Sequence, residues 1–193
     1  MAADPPVSAL LPVPRLTLVS GPARSGKSRW AEHLAQRSGL AVVYIATGPL
    51  LPEDPAWQAR LALHRSRRPP EWRSLEVEGC LAGALSDLSD GELALVDSLG
   101  TWVAAHLDHE REAWQGLCDE LLQAMQRCGC PLLLVCEETG WGVVPATATG
   151  GRFRDRLGRL QQRLAAHADA SWLVLQGRAI DLLRFGEAVP GEA

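Results

Sequence analysis

This sequence of 193 residues lacks a long apolar run, a set of paired cysteines and an excess of basic charge. No apolar stretch reaches the roughly eighteen residues of a membrane span, and the start of the chain has no basic segment typical of a secretory signal. Five cysteines without framework spacing indicate reduced thiols and predict a cytoplasmic protein. The net charge of −4 argues against partners such as nucleic acid or an anionic membrane.

Lysine is the scarcest charged residue, because 18 of the 19 basic residues are arginine and only Lys27 is lysine. A GC-rich coding sequence explains the arginine bias and suits the many alanine, leucine and glycine residues. It does not explain the position of the one lysine, which is therefore more informative than the bias itself.

Length and composition predict one globular α/β domain. A hydrophobic fraction of 47% and a charged fraction of 22% are close to the average for folded proteins, and a chain of this length buries about 70% of its unfolded surface. We predict a flexible Pro-rich lead-in over 1–14, a single nucleotide-binding domain over 15–185 and a loose tail over 186–193.

Apolar runs alternate with helical patterns along the chain, which predicts a mostly parallel sheet with helices on both faces. The predicted strands are 15–20, 41–47, 72–77, 92–96, 132–136 and 172–175. The predicted helices are 27–38, 81–88, 112–127 and 153–167, with a short one at 57–63 inside a loop over 48–72. Ligands of such sheets bind at the carboxyl ends of the strands, which brings 21–28, Thr47, Asp97 and Glu137 together.

The lysine lies in a phosphate-binding motif. Residues 21–28, G-P-A-R-S-G-K-S, fit G-x-x-x-x-G-K-[ST] between a predicted strand and a predicted helix. Gly21 and Gly26 let the backbone approach phosphate closely, Lys27 would reach the β and γ phosphates, and Ser28 would bind Mg²⁺. The predicted nucleotide ligands in this loop are Gly21, Pro22, Ala23, Arg24, Ser25, Gly26, Lys27 and Ser28.

The sequence also contains a candidate metal-binding carboxylate. Asp97 ends an apolar strand, where a carboxylate orders Mg²⁺ and its waters in phosphate-loop proteins. The alternative is that Asp97, with Ser98, caps a following helix. The two roles are compatible.

Two classes of phosphate-loop protein are excluded by the sequence. A switch GTPase needs an Asn-Lys-x-Asp guanine motif, which is impossible when the single lysine lies in the phosphate loop. A recombinase-like motor would have a basic DNA surface, which the acidic balance argues against. Transfer to a small substrate remains.

One histidine adjoins three arginines in what the pattern predicts to be a loop. Arg65, Arg67 and Arg68 would bind triphosphate oxygens through paired N–H donors. His64, as a neutral imidazole, is a competent nucleophile toward phosphorus. A solvated basic loop is the alternative.

These motifs together resemble the bifunctional adenosylcobinamide kinase / adenosylcobinamide-phosphate guanylyltransferase family of cobalamin (vitamin B12) biosynthesis. The resemblance runs from about 16 to 175. It rests on the phosphate loop, Y-I-A-T at 44–47, R-x-x-x-H-R-x-x-R-P-x-x-W at 60–72, V-D-S at 96–98, E-T-G-W-G-V-V-P at 138–145 and F-R-D-x-x-G at 153–158, followed by L-A at 164–165 and A-D at 168–169.

The resemblance implies a recombinase-like phosphate-loop fold, a homo-oligomer that is a trimer, and two reactions. Adenosylcobinamide is phosphorylated on its aminopropanol hydroxyl by ATP or GTP. GMP then passes from GTP, through a GMP-histidine, to that phosphate, giving adenosylcobinamide-GDP. The histidine maps onto His64, and further nucleotide contacts map onto Thr47, Gly48, Pro49, Arg65, Ser66, Arg67, Arg68, Glu76 and Asp97, with Mg²⁺ on Ser28 and Asp97.

Departures from the family pattern concern the kinase half more than the guanylyltransferase half. Pro22 replaces a glycine, Glu137 and Gln161 stand where asparagine is expected, and the tail from 176 differs. Trp57, Trp102 and Trp141 adjoin predicted site loops, where they would contact a large apolar ligand or be buried in the core or a subunit interface. A plain metabolite kinase and a nucleotide-binding regulatory module remain the alternative functions.

Overall fold

A central sheet with strand order β3-β2-β4-β5-β1-β6-β7 organises the protein. The computed structural model describes residues 13–142 and 146–190. The strands are β1 (Leu16–Gly21), β2 (Ala41–Ala46), β3 (Arg73–Glu76), β4 (Glu92–Asp97), β5 (Leu132–Glu137), β6 (Ala170–Leu175) and β7 (Arg178–Asp181). The helices are α1 (Lys27–Ser38), α2 (Pro55–Arg67), α3 (Leu81–Ser86), α4 (Leu99–Ala105), α5 (Arg111–Arg127), α6 (Ala148–Ala165) and α7 (Leu182–Phe185).

All strand pairs are parallel except β6 with β7. The pairing aligns the carboxyl ends, since Gly21 lies opposite Glu137 and Ala46 lies opposite Asp97. One strand, β5, separates β1 from β4. The predicted mostly parallel phosphate-loop fold is confirmed.

Apolar side chains cover both faces of the sheet, because successive strand residues point to opposite sides. Leu18 and Leu134 contact a cluster shared with α4, α5 and α6. Val19 and Val135 contact the smaller cluster that includes α1. The central strands β1, β2, β4 and β5 are buried on both faces, as continuous apolar runs in a parallel sheet predict, whereas the edge strands β3 and β7 have no buried residue.

The elements differ from the predicted ones mainly at loops and at the end of the chain. Helix α2 spans Pro55–Arg67 and is longer than the predicted helix at 57–63. Helix α6 begins at Ala148 rather than at 153, because Thr147 caps it by accepting a hydrogen bond from Gly150 N. Helices α4 and α7 and strand β7 were not predicted. The β6–β7 turn is formed by Gln176 and Gly177, both with positive φ, the geometry of a two-residue hairpin.

Part of the predicted organisation lies outside the described residues. This applies to 1–12 of the lead-in, to 191–193 of the tail and to 143–145 of the motif at 138–145. Among the residues described, no helix is both long enough and apolar enough to span a membrane.

Candidate nucleotide-binding and transfer site

The loop between β1 and α1 has the geometry of an anion-binding site. Arg24 and Gly26 have positive φ values of 59° and 102°, and the N-cap residue of α1, Gly26, has no side chain to cap the first N–H groups of the helix. Consecutive N–H groups in such a turn, together with a helix N-terminus, attract phosphate oxygens. The Ser25 hydroxyl is buried without a hydrogen-bond partner among the described residues, and Lys27 is buried beside it with Nζ 3.5 Å from the carbonyl oxygen of Pro22.

The start of this loop leaves no room for a side chain. A Cβ on Gly21 would lie 2.4 Å from the carbonyl oxygen of Val174 and 2.7 Å from the Ser25 Oγ. Since the first of these atoms belongs to the backbone of β6, Gly21→Ala is expected to lower the free energy of unfolding by about 1–3 kcal/mol and to weaken GTP binding at least tenfold. Denaturant unfolding and a GTP titration measure the two effects.

Gly158→Ala is the matched control for that substitution. Gly158 lies within α6, and a Cβ added there would meet no atom within 4 Å, so alanine is expected to be neutral or to stabilise the protein by up to about 1 kcal/mol. Equal stability and GTP affinity in Gly21→Ala and the wild type would contradict the tight packing inferred for Gly21.

His64 lies on a helix, so the predicted basic loop is wrong. Asp54 caps α2 by accepting a hydrogen bond from Trp57 N, and Pro55 occupies its first turn. The helix then continues through His64 to Arg67 and ends before Pro69. His64, Arg65 and Arg67 therefore lie in its last turn, which fixes their directions relative to one another.

His64 contacts the side chain at the end of β4. Its Nδ1 lies 3.5 Å from Asp97 Oδ2 and 3.4 Å from Nη2 of Arg67. Its Nε2 has no hydrogen-bond partner among residues 13–142 and 146–190. The imidazole is 20% exposed and the Asp97 side chain 8%, so His64 is accessible while the carboxylate behind it is nearly dry.

Asp97 is held as an anion by its neighbours. Burial opposes ionisation, but hydrogen bonds from His64, Tyr44 and Ser28 outweigh it and keep the pKa of Asp97 below its usual value. The Tyr44 hydroxyl donates to Asp97 Oδ2 at 2.7 Å. Burial first, and then the charge of Asp97, raise the pKa of Tyr44, so the hydroxyl remains protonated and donating.

The Tyr44–Asp97 hydrogen bond gives a stability prediction with a defined pH dependence. Tyr44→Phe is expected to lower the free energy of unfolding at pH 7 by about 1.5–3 kcal/mol, as for a hydrogen bond to a charged group. Because the pKa of Asp97 is depressed in the fold, this contribution is present above its unfolded value and is lost as pH falls through the folded value. Denaturant unfolding at pH 7 and below pH 4 should show the difference shrink; a constant difference would contradict it.

The three arginines expected to bind triphosphate all have partners within the chain. Arg65 pairs with Glu76 at 3.0 Å, and both are well exposed. The guanidinium of Arg68 lies over the Tyr44 ring, 3.4 Å from its centre. Arg67 makes two hydrogen bonds to the carboxylate of Glu32, which raise the pKa of Arg67.

The end of β2 lies against α2 and α4. Thr47 Oγ1 lies 2.7 Å from Thr101 Oγ1 and accepts a hydrogen bond from Ser98 N. The indole of Trp57 donates to the carbonyl of Pro49 at 2.7 Å. It also covers Gly48, where a Cβ would lie 2.9 Å from the ring.

Two cavities open at this edge of the sheet, one of about 700 Å³ and one of about 290 Å³. Lys27, Ser28 and His64 line both. The large cavity adds the candidate residues Arg24, Ser25, Gly26 and Arg67, and the small one adds Ala23, Gly48, Arg68 and Asp97. The remaining candidates, Gly21, Pro22, Thr47, Pro49, Arg65, Ser66 and Glu76, line neither cavity.

The two side chains that stand where asparagine is expected, Glu137 and Gln161, both make hydrogen bonds within the protein. The Glu137 carboxylate accepts hydrogen bonds from Ser98 Oγ at 2.6 Å and Gly100 N at 2.9 Å. A Cβ on Gly100 would lie 2.1 Å from Glu137 Oε2, so the glycine makes room for the longer acid. Gln161 donates to the Glu138 carboxylate.

Of the three tryptophans singled out, only Trp57 lines both cavities. Trp102 is 2% exposed and belongs to the core, where its indole donates to the carbonyl of Gly79. Trp141 is 58% exposed. Tyr44 begins the Y-I-A-T motif but was not predicted as a site residue, and no quoted motif includes Glu32; both are joined to the site by the fold.

Known proteins similar to this chain share one description. Residues 17–182 match the model of a family described as cobinamide kinase / cobinamide phosphate guanyltransferase. The bifunctional adenosylcobalamin biosynthesis protein CobP of Pseudomonas aeruginosa is 40% identical over 174 residues, which cover 86% of this chain and 95% of that protein. The bifunctional adenosylcobalamin biosynthesis protein CobU of Salmonella typhimurium is 37% identical over 182 residues, covering 86% and 99%.

Solved structures agree on the fold alone. A protein of Pyrococcus horikoshii OT3 matches with a TM-score of 0.53 and 10% identity, covering 90% of this chain and 88% of that one. An ATPase of the type III secretion system of pathogenic bacteria matches with a TM-score of 0.55 and 8% identity, covering 91% and 59%. The family match and the two relatives confirm the resemblance read from the motifs: this chain belongs to the cobinamide kinase / cobinamide phosphate guanyltransferase family.

Proposed function

We propose that the protein phosphorylates the aminopropanol hydroxyl of adenosylcobinamide with ATP or GTP, and then transfers GMP from GTP to that phosphate through His64. One observation carries the transfer mechanism: His64, on α2, lines the same cavities as Lys27 and Ser28 of the phosphate loop, with Nδ1 against Asp97 and Nε2 free of partners in the described chain. A nucleophile placed beside a phosphate cradle meets the first requirement of covalent transfer.

The donors at the loop also fit Mg²⁺. The Ser28 hydroxyl and the Asp97 carboxylate are hard oxygen ligands, and both residues line the smaller cavity. Among the residues that the structure describes, no three acidic, histidine or cysteine side chains form a metal site by themselves, so phosphate oxygens and waters would complete the coordination. Bound Mg²⁺ would offset charge on the phosphates.

Guanylyl transfer divides into two displacements. The Nε2 lone pair attacks the α-phosphorus of GTP, the bond from that phosphorus to the β-phosphate oxygen breaks, and the electron pair leaves with pyrophosphate. A phosphate oxygen of adenosylcobinamide phosphate then attacks the same phosphorus, and the nitrogen–phosphorus bond breaks with its electron pair returning to Nε2. Two easier steps replace one difficult transfer between anions.

The geometry of the two displacements restricts the acceptor. Each attack on phosphorus is in line with the group that leaves. The acceptor phosphate therefore approaches from the side that pyrophosphate has vacated, which is the phosphate loop. Arg24 and Lys27 of that loop line the large cavity and would supply positive charge to either anion.

The kinase reaction uses the same loop in a different way. The aminopropanol hydroxyl attacks the γ-phosphorus and gives its proton to water, while the bond from that phosphorus to the β-phosphate oxygen breaks and its electron pair leaves with the nucleoside diphosphate. Lys27 stabilises the charge that develops on the β and γ oxygens. His64 takes no covalent part in this step.

The homo-oligomer implied by the resemblance, a trimer, belongs to the same proposal. Support comes from the exposed apolar side chains near the end of the described chain, Leu183, Phe185 and Val189, which are 53%, 72% and 89% exposed. They adjoin β7, which forms one edge of the sheet and leaves backbone groups available for pairing.

Labelling with GTP tests the covalent mechanism. The protein is incubated with Mg²⁺ and GTP that carries radioactive phosphorus at either the α or the γ position, and is then denatured. We expect acid-labile, alkali-stable label on the protein from the α position only, located by digestion in the segment 55–67. Adding adenosylcobinamide phosphate should discharge it as adenosylcobinamide-GDP.

The same experiment separates the alternatives. A plain kinase would transfer γ-label to adenosylcobinamide without labelling the protein, and a regulatory module would transfer neither. Absence of α-label with Mg²⁺ and GTP present would overturn the role of His64.

A further inference from the structure

The helix that carries His64 is attached mainly by polar contacts. None of the residues of α2 is buried, although the helix covers the cavities at the edge of the sheet. Its last turn reaches the protein body through three polar contacts among the described residues: His64 with Asp97, Arg65 with Glu76, and Arg67 with Glu32. The direction of the imidazole therefore depends on these contacts rather than on apolar packing.

The Glu32–Arg67 pair is made at two points and is closer than the His64–Asp97 contact. Nε of Arg67 donates to Oε2 of Glu32 at 3.2 Å, and Nη2 donates to Oε1 at 3.0 Å. The Glu32 side chain is 9% exposed, and it lies on α1, the helix that begins at the phosphate loop. A paired, two-point contact of this kind fixes orientation as well as distance. It joins the helix of Lys27 to the helix of His64.

The same guanidinium also faces His64. Nη2 of Arg67 lies 3.4 Å from Nδ1, on which Asp97 converges from 3.5 Å. A guanidinium can only donate and a carboxylate can only accept, so the two neighbours favour opposite imidazole tautomers. Donation to Asp97 leaves the lone pair on Nε2, whereas acceptance from Arg67 places the proton on Nε2 and blocks attack.

We propose that Glu32 is a positioning residue for His64: by holding Arg67 in a two-point ion pair, it fixes the last turn of α2 and leaves the Nδ1 hydrogen to Asp97. This inference rests on the proposed role of His64 as the GMP acceptor. Glu32 touches neither His64 nor, in this proposal, the substrates. The Glu32 and His64 contacts of Arg67 use Nε and Nη2, so Nη1 is left for a nucleotide phosphate. The predicted nucleotide contact of Arg67 is therefore compatible with its pairing to Glu32.

Loss of the Glu32–Arg67 pair is expected to slow guanylyl transfer while leaving the kinase reaction nearly unchanged. In Glu32→Gln, the amide has only one acceptor oxygen and cannot hold both guanidinium donors, so the Arg67 Nη2, already 3.4 Å from Nδ1, is free to donate fully to it. We expect the single-turnover rate of α-label incorporation to fall at least tenfold, while GTP affinity and the kinase rate change less than about threefold. Asp119→Asn, which breaks the exposed Arg163–Asp119 pair between α5 and α6, is the matched control and should leave all three values unchanged.

A double variant distinguishes positioning from general damage. Glu32→Gln with Arg67→Met removes the released donor, so its labelling rate should exceed that of Glu32→Gln alone. A merely structural role predicts that the second change slows labelling further or has no effect. Either of those results overturns the proposal.

A spectroscopic measurement gives an independent readout that needs no turnover. Imidazole ¹⁵N shifts of the full chain, with His64 assigned by its absence in His64→Ala, should report the proton on Nδ1 in the wild type and a shift toward Nε2 in Glu32→Gln. If Glu32→Gln does not fold, Arg67→Lys, which keeps the charge but loses the paired donors, should show the same shift. Unchanged tautomers overturn the proposal.

The outcomes for the two proposals are distinct. Lack of α-label in the wild type overturns the role of His64 itself. Full labelling in both the wild type and Glu32→Gln leaves His64 in place and overturns the role of Glu32.

Discussion

Replacing His64 by alanine is expected to remove the α-phosphate label from the protein and to slow GMP transfer at least about 10³-fold. That factor corresponds to about 4 kcal/mol of lost transition-state stabilisation, a usual size for the removal of a covalent nucleophile. The phosphorylation of adenosylcobinamide should persist within about fivefold, because Lys27, Ser28 and Asp97 remain. The substitution should therefore remove the guanylyltransferase activity and leave the kinase activity.

Parallel assays measure the two halves of that prediction: γ-label transfer to adenosylcobinamide, and α-label transfer to adenosylcobinamide phosphate. His33→Ala is the matched control, since His33 is exposed on α1 and stacks only on Trp30 in the described chain. It should behave as the wild type in both assays. Retained α-label in His64→Ala would place the covalent GMP on another residue.

The centre of the site was predictable because its signals are local. The phosphate loop and α1 were identified from the glycine, lysine and serine positions, and α1 spans Lys27–Ser38 as predicted, ending at Gly39 with a φ of 70°. Asp97 and Glu137 were placed at one sheet edge by the rule for parallel strands, and the register confirms that placement.

The environment of His64 was not predictable, because it depends on residues far along the chain. Arg67 meets Glu32 across 35 positions and Asp97 meets Tyr44 across 53. The prolines and arginines of 48–72 favoured a loop. In the fold, the cap at Asp54 and the run of alanine, leucine and arginine make a helix that continues to Arg67 and ends before Pro69.

The departure from the family pattern at Glu137 is accommodated by a second residue, Gly100. The sequence has an acid at the end of β5 where the family pattern has asparagine, a departure that concerns the kinase half. In the fold the two carboxylate oxygens of Glu137 bind Ser98 and Gly100, and only the missing side chain of Gly100 permits this. The pairing spans 37 positions, so neither residue alone signals it.

The single lysine gives the other prediction of large effect. Lys27→Arg is expected to lower kcat/KM for both reactions at least about 100-fold, or about 2.7 kcal/mol. Lys27 is 6% exposed, below the loop and within 3.5 Å of the Pro22 carbonyl. A compact ammonium fits that space, whereas a planar guanidinium needs a wider one and presents its charge differently. In a chain that uses arginine at every other basic position, the lysine is retained for its shape.

The fact that Lys27 is the only lysine also allows a direct measurement. Selective isotope labelling of lysine places a single side-chain NMR probe in the protein, and GTP with Mg²⁺ should shift its signal if Nζ contacts the phosphates. Lys27→Met, which removes the charge but keeps much of the volume, should lose activity to the same degree as Lys27→Arg, while both variants keep the wild-type unfolding midpoint. Activity retained in Lys27→Arg and lost in Lys27→Met would show that charge alone suffices at this position, and that the shape argument is wrong.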